Sequence, residues 1–558
     1  MKAEYYRQSL IIEDSKNANR FKEDCISFES DKYMIKTFGY FLNMQECLKR
    51  FSCVTPVECI CTMIEQGVQL STQLYGCYLI VALDKSNNRL YVYNDLLSKH
   101  SLYYYYEEKS HKLIFSDSFF GTLQSIKQNQ LPYTIDNLGV KMMIWHRMFY
   151  DNLTYINEIK FLRPFEYIEV NDGKMMLRSI PTPKIIDVSL EDAASQINQL
   201  FTKAVKSQYQ KNEAHGYPQI ITLSGGMDSR STFLYGLANG YAEQTGYCYG
   251  ESTSVDYDYA QQLATKHNCK LFFHSIDKGN FLLEREEICN ANEAQMVYSG
   301  PSGLYDSLRF YNTNQWGLVH TGLGGGEIMG DMRVAEKPTK TERLIESLKY
   351  KFGKGKKDRS WGSFVNSLRC TDDELQRIEE IKKHYSDFNL FQSLNDMRRC
   401  LNAQKMAQSF GIEYTSPFLY EDFFLYMLQI PYCLTKDRQL YLYWQKKYNP
   451  QQFATPSTFQ MGCRPGNKAG YYAKRFYKYV VNKMGRKTKH DMVPIEQWMA
   501  INPKIGEAQK TWFTTDMACI DNKVDTSLSQ LIHNVWASGS APRPNILTAT
   551  WALKKIIE

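Results

Sequence analysis

The chain has 558 residues, a net charge of +7, and 43% hydrophobic residues, including 40 Tyr. That length predicts more than one folding unit, and the composition is that of a soluble globular protein. The 14 Cys are scattered without a C-x-x-C pair, Met1 to Leu10 is polar, and no apolar run is long enough for a membrane span. These features predict a reduced, cytoplasmic protein. The mild charge and the lack of an evident basic helix with interleaved aromatics argue against nucleic acid as a partner. The densest basic runs, Lys351 to Arg359 and Lys483 to His490, read as solvated loops.

Residues 1–185 read mostly as strands. Cys77 to Leu83 is an apolar run, Arg89 to Tyr93 alternates, and Leu102 to Tyr106 is aromatic. Leu113 to Phe115 is short, and Phe165 to Val170 alternates again. Turn residues fall at Asp84 to Asn88 and Asn171 to Gly173. An antiparallel-sheet domain with some helix is expected.

Residues 186–558 follow a Pro181-Thr182-Pro183 linker. Leu190 to Ser207 has the apolar period of an amphipathic helix. Ile220 to Leu223 is a buried-strand run, Ser224-Gly225-Gly226 breaks it, and helix formers follow from Ser231 to Ala238, with Gly240 where the helix would stop. Further strands are predicted at Thr245 to Gly250 and Lys270 to His274, with a helix at Val255 to His267 between them. This alternation predicts a doubly wound parallel sheet. The Ser224 loop then lies at the carboxyl end of a strand. Its free helix N–H groups and dipole suit a phosphate, and Asp228 suits a Mg2+ bridging to it. On residues alone, a plain strand–turn–helix explains the stretch equally well. No Lys follows the glycines, so it is not a Walker-type loop.

Val319 to Asp331 is a second strand with a Gly-rich turn. Helices are predicted at Thr341 to Tyr350, Asp373 to Tyr385 and Leu394 to Phe410, with a loop at Lys351 to Lys357. Arg464, Lys468, Lys474 and Arg475 read as surface charge. Beyond about residue 490 no motif stands out.

Ser224-Gly225-Gly226-Met227-Asp228-Ser229 resembles the pyrophosphate loop of the ATP pyrophosphatases, and the flanking sequence resembles the asparagine synthetase family. Thr321-Gly322-Leu323-Gly324-Gly325-Gly326-Glu327 is similar to that family's second loop, with Leu323 and Gly326 in place of two acidic residues. Pro417-Phe418-Leu419 keeps a family core motif, with Thr415 and Tyr420 at its usual Arg and Asp. Arg438 stands at a Lys position that stabilises charge as nitrogen attacks an acyl-adenylate. Tyr75 to Asp84, Asn94-Asp95, Ser101 to Tyr104, Phe115 to Ser118 and Leu162-Arg163-Pro164 resemble the family's class II glutamine amidotransferase domain. That domain uses an N-terminal Cys whose own amine is the base. Here residue 2 is Lys2 and the first Cys is Cys25.

The resemblance therefore implies two units. Residues 1–185 would be a degenerate glutamine amidotransferase-like domain, an α+β N-terminal-nucleophile-like sandwich. Residues 186–558 would be a parallel-sheet ATP pyrophosphatase domain with a helical C-terminal part. The implied activity is ATP-dependent amide formation. A carboxylate is adenylated with release of pyrophosphate, then aminated, without glutamine hydrolysis by this chain. Leu223, Ser224, Gly225, Gly226, Asp228, Ser229 and Gly322 are the expected ATP residues, Asp228 the Mg2+ ligand, and Arg438 and Glu327 the catalytic pair, with Asp331 as another oxygen source. The carboxylate would be a small molecule, peptide or sugar and the second substrate an amine donor; a homodimer is compatible. A non-catalytic nucleotide-binding or scaffold protein is the alternative.

Overall fold

The computed structural model describes all residues except 7–8, 14–19, 301, 332–339, 341–359, 458–462, 466 and 484–491. The first half contributes β1 (Lys2–Tyr6), β2 (Ser9–Glu13), β3 (Ser27–Glu29), β4 (Tyr33–Phe41), β5 (Gly76–Asp84), β6 (Arg89–Asn94), β7 (Tyr103–Glu107), β8 (Lys112–Ser116), β9 (Lys160–Phe161), β10 (Glu166–Asn171) and β11 (Lys174–Ser179). They form two antiparallel sheets, ordered β2-β1-β8-β7-β9 and β11-β10-β6-β5-β4-β3. Alternation places one face of each strand inside. Tyr5, Leu113 and Phe115 meet Leu79, Val81 and Val92 between the sheets.

The outer faces are also apolar. Ile35, Ile80 and Ala82 pack with Cys47, Ile60 and Met63 of the helices Met44–Arg50 and Pro56–Glu65. Tyr103, Tyr105 and Ile114 pack with the helices Phe119–Gln128 and Asn137–His146. The order helix, sheet, sheet, helix is that of an N-terminal-nucleophile-like sandwich. It explains why β5 reads as a continuous apolar run, since all nine of its residues are buried.

The second half adds β12 (Gln219–Thr222), β13 (Gln244–Gly250), β14 (Lys270–Ser275), β15 (Leu318–His320) and β16 (Glu413–Thr415). All pair in parallel, in the order β14-β13-β12-β15-β16. On one face Ile221 and Leu223 pack against Phe233 and Leu263; on the other, Ile220 and Val319 pack with Leu304 and Met406. The sheet is doubly wound, and its strand order reverses between β12 and β15. Ligands bind outside the carboxyl ends of strands at such a switch point.

Three sequence expectations change. The helix expected to end at Ser207 runs from Leu190 to Ala214. Its last turns bury polar groups instead of apolar ones: Tyr209 Oη donates to Gln244 Oε1 at 2.6 Å and Asn212 Nδ2 to Leu318 O at 2.8 Å. The helix after the glycine loop starts at Met227, not Ser231, so Asp228 and Ser229 lie in its first turn. A basic helix with interleaved aromatics does exist, at Lys468–Lys483. The helix expected at Thr341 to Tyr350, the loops at Lys351 to Lys357 and Lys483 to His490, and the side chains of Asp331, Lys468 and Arg475 lie outside the described residues, apart from the backbone of Lys483 at the end of its helix.

The halves are joined by buried polar contacts. Lys99 Nζ meets Glu421 Oε1 at 2.6 Å, and the Gly76 N–H donates to the same oxygen at 3.1 Å. Arg398 donates to the carbonyls of Asp151 and Leu153 at 2.8 and 3.2 Å. Four of the six apolar clusters draw residues from both sides of residue 185. All fourteen cysteines are free thiols. No helix among the described residues is long and apolar enough to cross a membrane.

His320, at the end of β15, is fully buried, stacks on Tyr209 at 3.7 Å and meets Gln219 Oε1 at 2.7 Å. Burial lowers its pKa to about 3. The unfolded chain therefore takes up a proton below about pH 6.5 that the fold refuses, and stability falls with pH between about 6.5 and 3. At pH 5 the loss is roughly 2 kcal/mol, from the conversion of pKa difference to energy. Urea titrations at several pH values check this: a His320→Gln variant is expected to lose that slope.

Candidate functional site

Leu223 closes β12 and is held by its N–H on Tyr247 O at 2.8 Å. Ser224, Gly225 and Gly226 then turn the chain into the helix Met227–Ala238, whose first residue follows Gly226 directly. No side chain caps that helix. Its first N–H groups, and the positive end of its dipole, therefore face the crevice beyond β12. Ser224 Oγ and Ser229 Oγ are 3.0 Å apart, and the Gly226 N–H donates to Ser224 Oγ at 3.2 Å. The Gly225 N–H donates to Asp256 Oδ1 at 3.1 Å. Asp256 lies in the first turn of the helix Val255–Lys266. Its carboxylate thus sits where the loop would meet an anion, and a phosphate has to compete with it.

The second loop, after β15, packs directly on the first. A Cβ on Gly322 would overlap the backbone at Asp228 and Ser229, and one on Gly325 would lie 2.6 Å from Asp228 Cγ. Both positions exclude side chains for that reason. Thr232 Oγ1 donates to Thr321 O at 3.0 Å, and the Thr321 N–H donates to Thr415 O at 2.8 Å. Ser416 Oγ donates to Leu323 O at 2.7 Å. The Pro417-Phe418-Leu419 turn that follows leads to Glu421 and its buried Lys99 partner. The second loop is thus backed by the same segment that joins the halves.

Around Asp228 the charges are close. Tyr441 Oη donates to Asp228 Oδ1 at 2.7 Å. Burial pushes the Asp228 carboxyl above the ordinary carboxylate range; Arg438 and the Tyr441 hydrogen bond oppose this, and Glu327 adds to it. Arg438 is buried, with its guanidinium 5.6 Å from the Tyr441 ring centroid. Asp437 and Arg438 are consecutive non-glycine residues at positive φ, 52° and 62°. Such backbone persists where the surroundings enforce it, and it clusters at functional sites. Glu327 is half-buried and opens a five-residue π-turn, Glu327–Asp331. The expected residues Ser224, Gly225, Gly226, Asp228, Ser229, Gly322, Glu327 and Arg438 therefore lie around one crevice, while the Leu223 side chain is buried in the core with Ile221 and Phe233.

Sequence reasoning missed Arg230 and Tyr441. Arg230 is 1% exposed and donates from Nε to Gly226 O at 3.0 Å and from Nη1 to Pro456 O at 2.7 Å, while Nη2 has no hydrogen-bond partner among the described residues. Burial lowers its pKa to about 10. An Arg two residues after the loop Asp was the available signal; Tyr441, three residues past Arg438, had none. Among the described residues no three His, Cys, Asp or Glu side chains gather as a metal site. Away from the crevice, a cavity of about 950 Å³ lies between the halves, lined by Met1, Gly39, His100 and Asp117 from the first and Lys405 and Glu413 from the second.

Residues 196–448 match the asparagine synthase family model. This stretch is thus similar to an asparagine synthase domain. It begins inside the helix Leu190–Ala214 and ends with the helix Gln439–Tyr448, so it contains both loops, Tyr441 and Arg438. That match supports a relationship to an ATP-dependent amide ligase family. No curated protein sequence matches the chain. Among solved structures, glutamine phosphoribosylpyrophosphate amidotransferase from B. subtilis, complexed with ADP and GMP, aligns over 45% of this chain and 73% of its own. Identity is 8% and the TM-score 0.20. A structure titled as the allosteric regulatory enzyme of purine biosynthesis aligns over 44% and 60%, also at 8% and 0.20.

The contact between the two loops carries a prediction. Gly322→Ala has no room for its methyl group, so one loop must shift. ATP binding by calorimetry is expected to weaken at least about tenfold, with stability lower by roughly 1–3 kcal/mol as for an overpacked site.

Proposed function

We propose that this chain adenylates a carboxylate with ATP, releases pyrophosphate, and aminates the acyl-adenylate. The observation that supports it is the meeting of the Ser224–Ser229 loop with the Gly322–Gly325 loop at the switch point, inside the stretch similar to an asparagine synthase domain. Loop N–H groups and the Ser224 and Ser229 hydroxyls would receive the phosphates, displacing the Asp256 carboxylate from the Gly225 N–H. Asp228, flanked by Glu327, fits Mg2+ held mostly through phosphate oxygens and water, which needs only one or two protein carboxylates. Bound there, Mg2+ would neutralise phosphate charge. The raised Asp228 pKa, caused by burial and a neighbouring carboxylate, is the signature of a group that gains from a cation. Arg438 is a fixed positive charge at the same site and would offset negative charge as nitrogen attacks; an Arg does not readily act as acid or base there.

This reading leaves glutamine hydrolysis out. That chemistry needs a Cys carrying a free α-amine, and Cys25 is internal. Lys2 instead lies in β1, hydrogen-bonded to Gln124. The nitrogen would come from ammonia or an amine, and the carboxylate from a small molecule, a peptide or a sugar. Cytoplasmic action and the division near residue 185 belong to the same proposal. A second reading, nucleotide binding without turnover, is favoured by Gly326 in place of a metal-binding Asp and by the Asp256 contact.

The two readings separate on one assay. With Mg2+, ATP and a panel of carboxylates and amines, AMP release is expected, and Asp228→Ala is expected to reduce both ATP binding and AMP release by more than about tenfold. ATP binding without AMP release from any pair would select the non-catalytic reading. Absence of ATP binding in the intact chain would overturn both.

A further inference from the structure

From Arg438 to His490 the sequence holds twelve Lys and Arg and no Asp or Glu, which leaves a net charge of −5 for the rest of the chain. Within it lies the helix Lys468–Lys483. Ala469, Ala473, Phe476, Tyr477 and Val480 recur at the spacing of one helix face. In a core helix such a face is buried. Here Ala469 and Ala473 are exposed, and Phe476 and Tyr477 are 70% and 65% exposed. No described residue of this helix enters any of the six apolar clusters. Single exposed apolar residues are ordinary, whereas a periodic exposed face marks an interaction site.

The segment carrying the helix leaves and rejoins the fold at the rim of the nucleotide crevice. On one side the Pro456 carbonyl accepts from Arg230. On the other, the Glu251 N–H donates to Met492 O at 2.9 Å, and Met492 packs so close to Gly250, the last residue of β13, that a Cβ there would lie 2.7 Å from Met492 Cγ.

We propose that the helix Lys468–Lys483 lies flat on an anionic lipid surface. Its apolar face enters the interface, and the excess positive charge of the Arg438 to His490 stretch favours anionic headgroups. The apolar face decides the class of partner. A nucleic acid would satisfy the cations but leave Phe476 and Tyr477 without an apolar partner, while an anionic membrane takes both. No membrane span is required. If the crevice is the ATP site proposed above, attachment brings its rim to the membrane; the attachment itself does not depend on that reading.

The test is co-sedimentation of the full chain with vesicles, without nucleotide. Binding to phosphatidylglycerol–phosphatidylcholine vesicles is expected to exceed binding to pure phosphatidylcholine at least about tenfold, and to fall with added salt. Phe476→Ser with Tyr477→Ser is expected to remove most of that binding, with circular dichroism and an unchanged thermal unfolding midpoint confirming an intact fold. Equal binding to both vesicle types, no binding to either, or an unaffected double variant overturns the proposal. So does tighter binding to an oligonucleotide, or a dimer in sedimentation equilibrium that the double variant dissociates.

Discussion

The crevice beyond β12 and β15 depends on two loops meeting with nothing between them. Gly322 and Gly325 lie against Asp228 and Ser229, and any side chain at either glycine would force the loops apart. The sheet makes that meeting compulsory. β12 and β15 are neighbours, and the chain leaves them toward opposite sides, so their outgoing loops must share one crevice. The close approach places the carboxylate of Asp228, the half-buried Glu327 and the buried Arg438 in one electrostatic neighbourhood. The contacts at Thr321, Thr415 and Ser416 hold it in place.

Legibility in the sequence followed the physics of each element. β12 and its glycine turn were readable because an apolar run, a break and a helix former are local signals. β5 was readable as a strand, but its burial on both faces was not, since only the four-layer stacking makes an antiparallel strand apolar throughout. The long helix through Ala214 escaped because its last turns bury Tyr209 and Asn212, whose polar groups find partners on β13 and β15 that are distant in sequence. The residues carried by short motifs lie near one another because both loops leave neighbouring strands. Arg230 and Tyr441 did not stand out, because their roles arise from contacts across the crevice. The helix Lys468–Lys483 was hidden by its charge: Lys and Arg between aromatics look like loop composition until the period is counted.

The departures from the asparagine synthetase pattern are chemically coherent. Gly326 and Leu323 remove carboxylates from the second loop, and Arg438 supplies a cation that keeps its charge. Asp256 accepts the Gly225 N–H that the nucleotide would otherwise use. The net effect is a crevice with less negative charge at the second loop and an internal competitor at the first. Any anion that takes the Gly225 N–H would have to displace Asp256 from it.

The buried Lys99–Glu421 pair links the two sides of residue 185, and Glu421 also accepts the Gly76 N–H. Removing one partner of a buried pair strands the other charge, a loss of several kcal/mol. The first 185 residues thus cannot drift away by small steps, even if they catalyse nothing. Their retention needs no catalytic explanation: the apolar and ionic surface they cover would otherwise face water. A domain of this kind behaves like a cast around a joint, and heat or denaturant should take both halves apart in a single cooperative event.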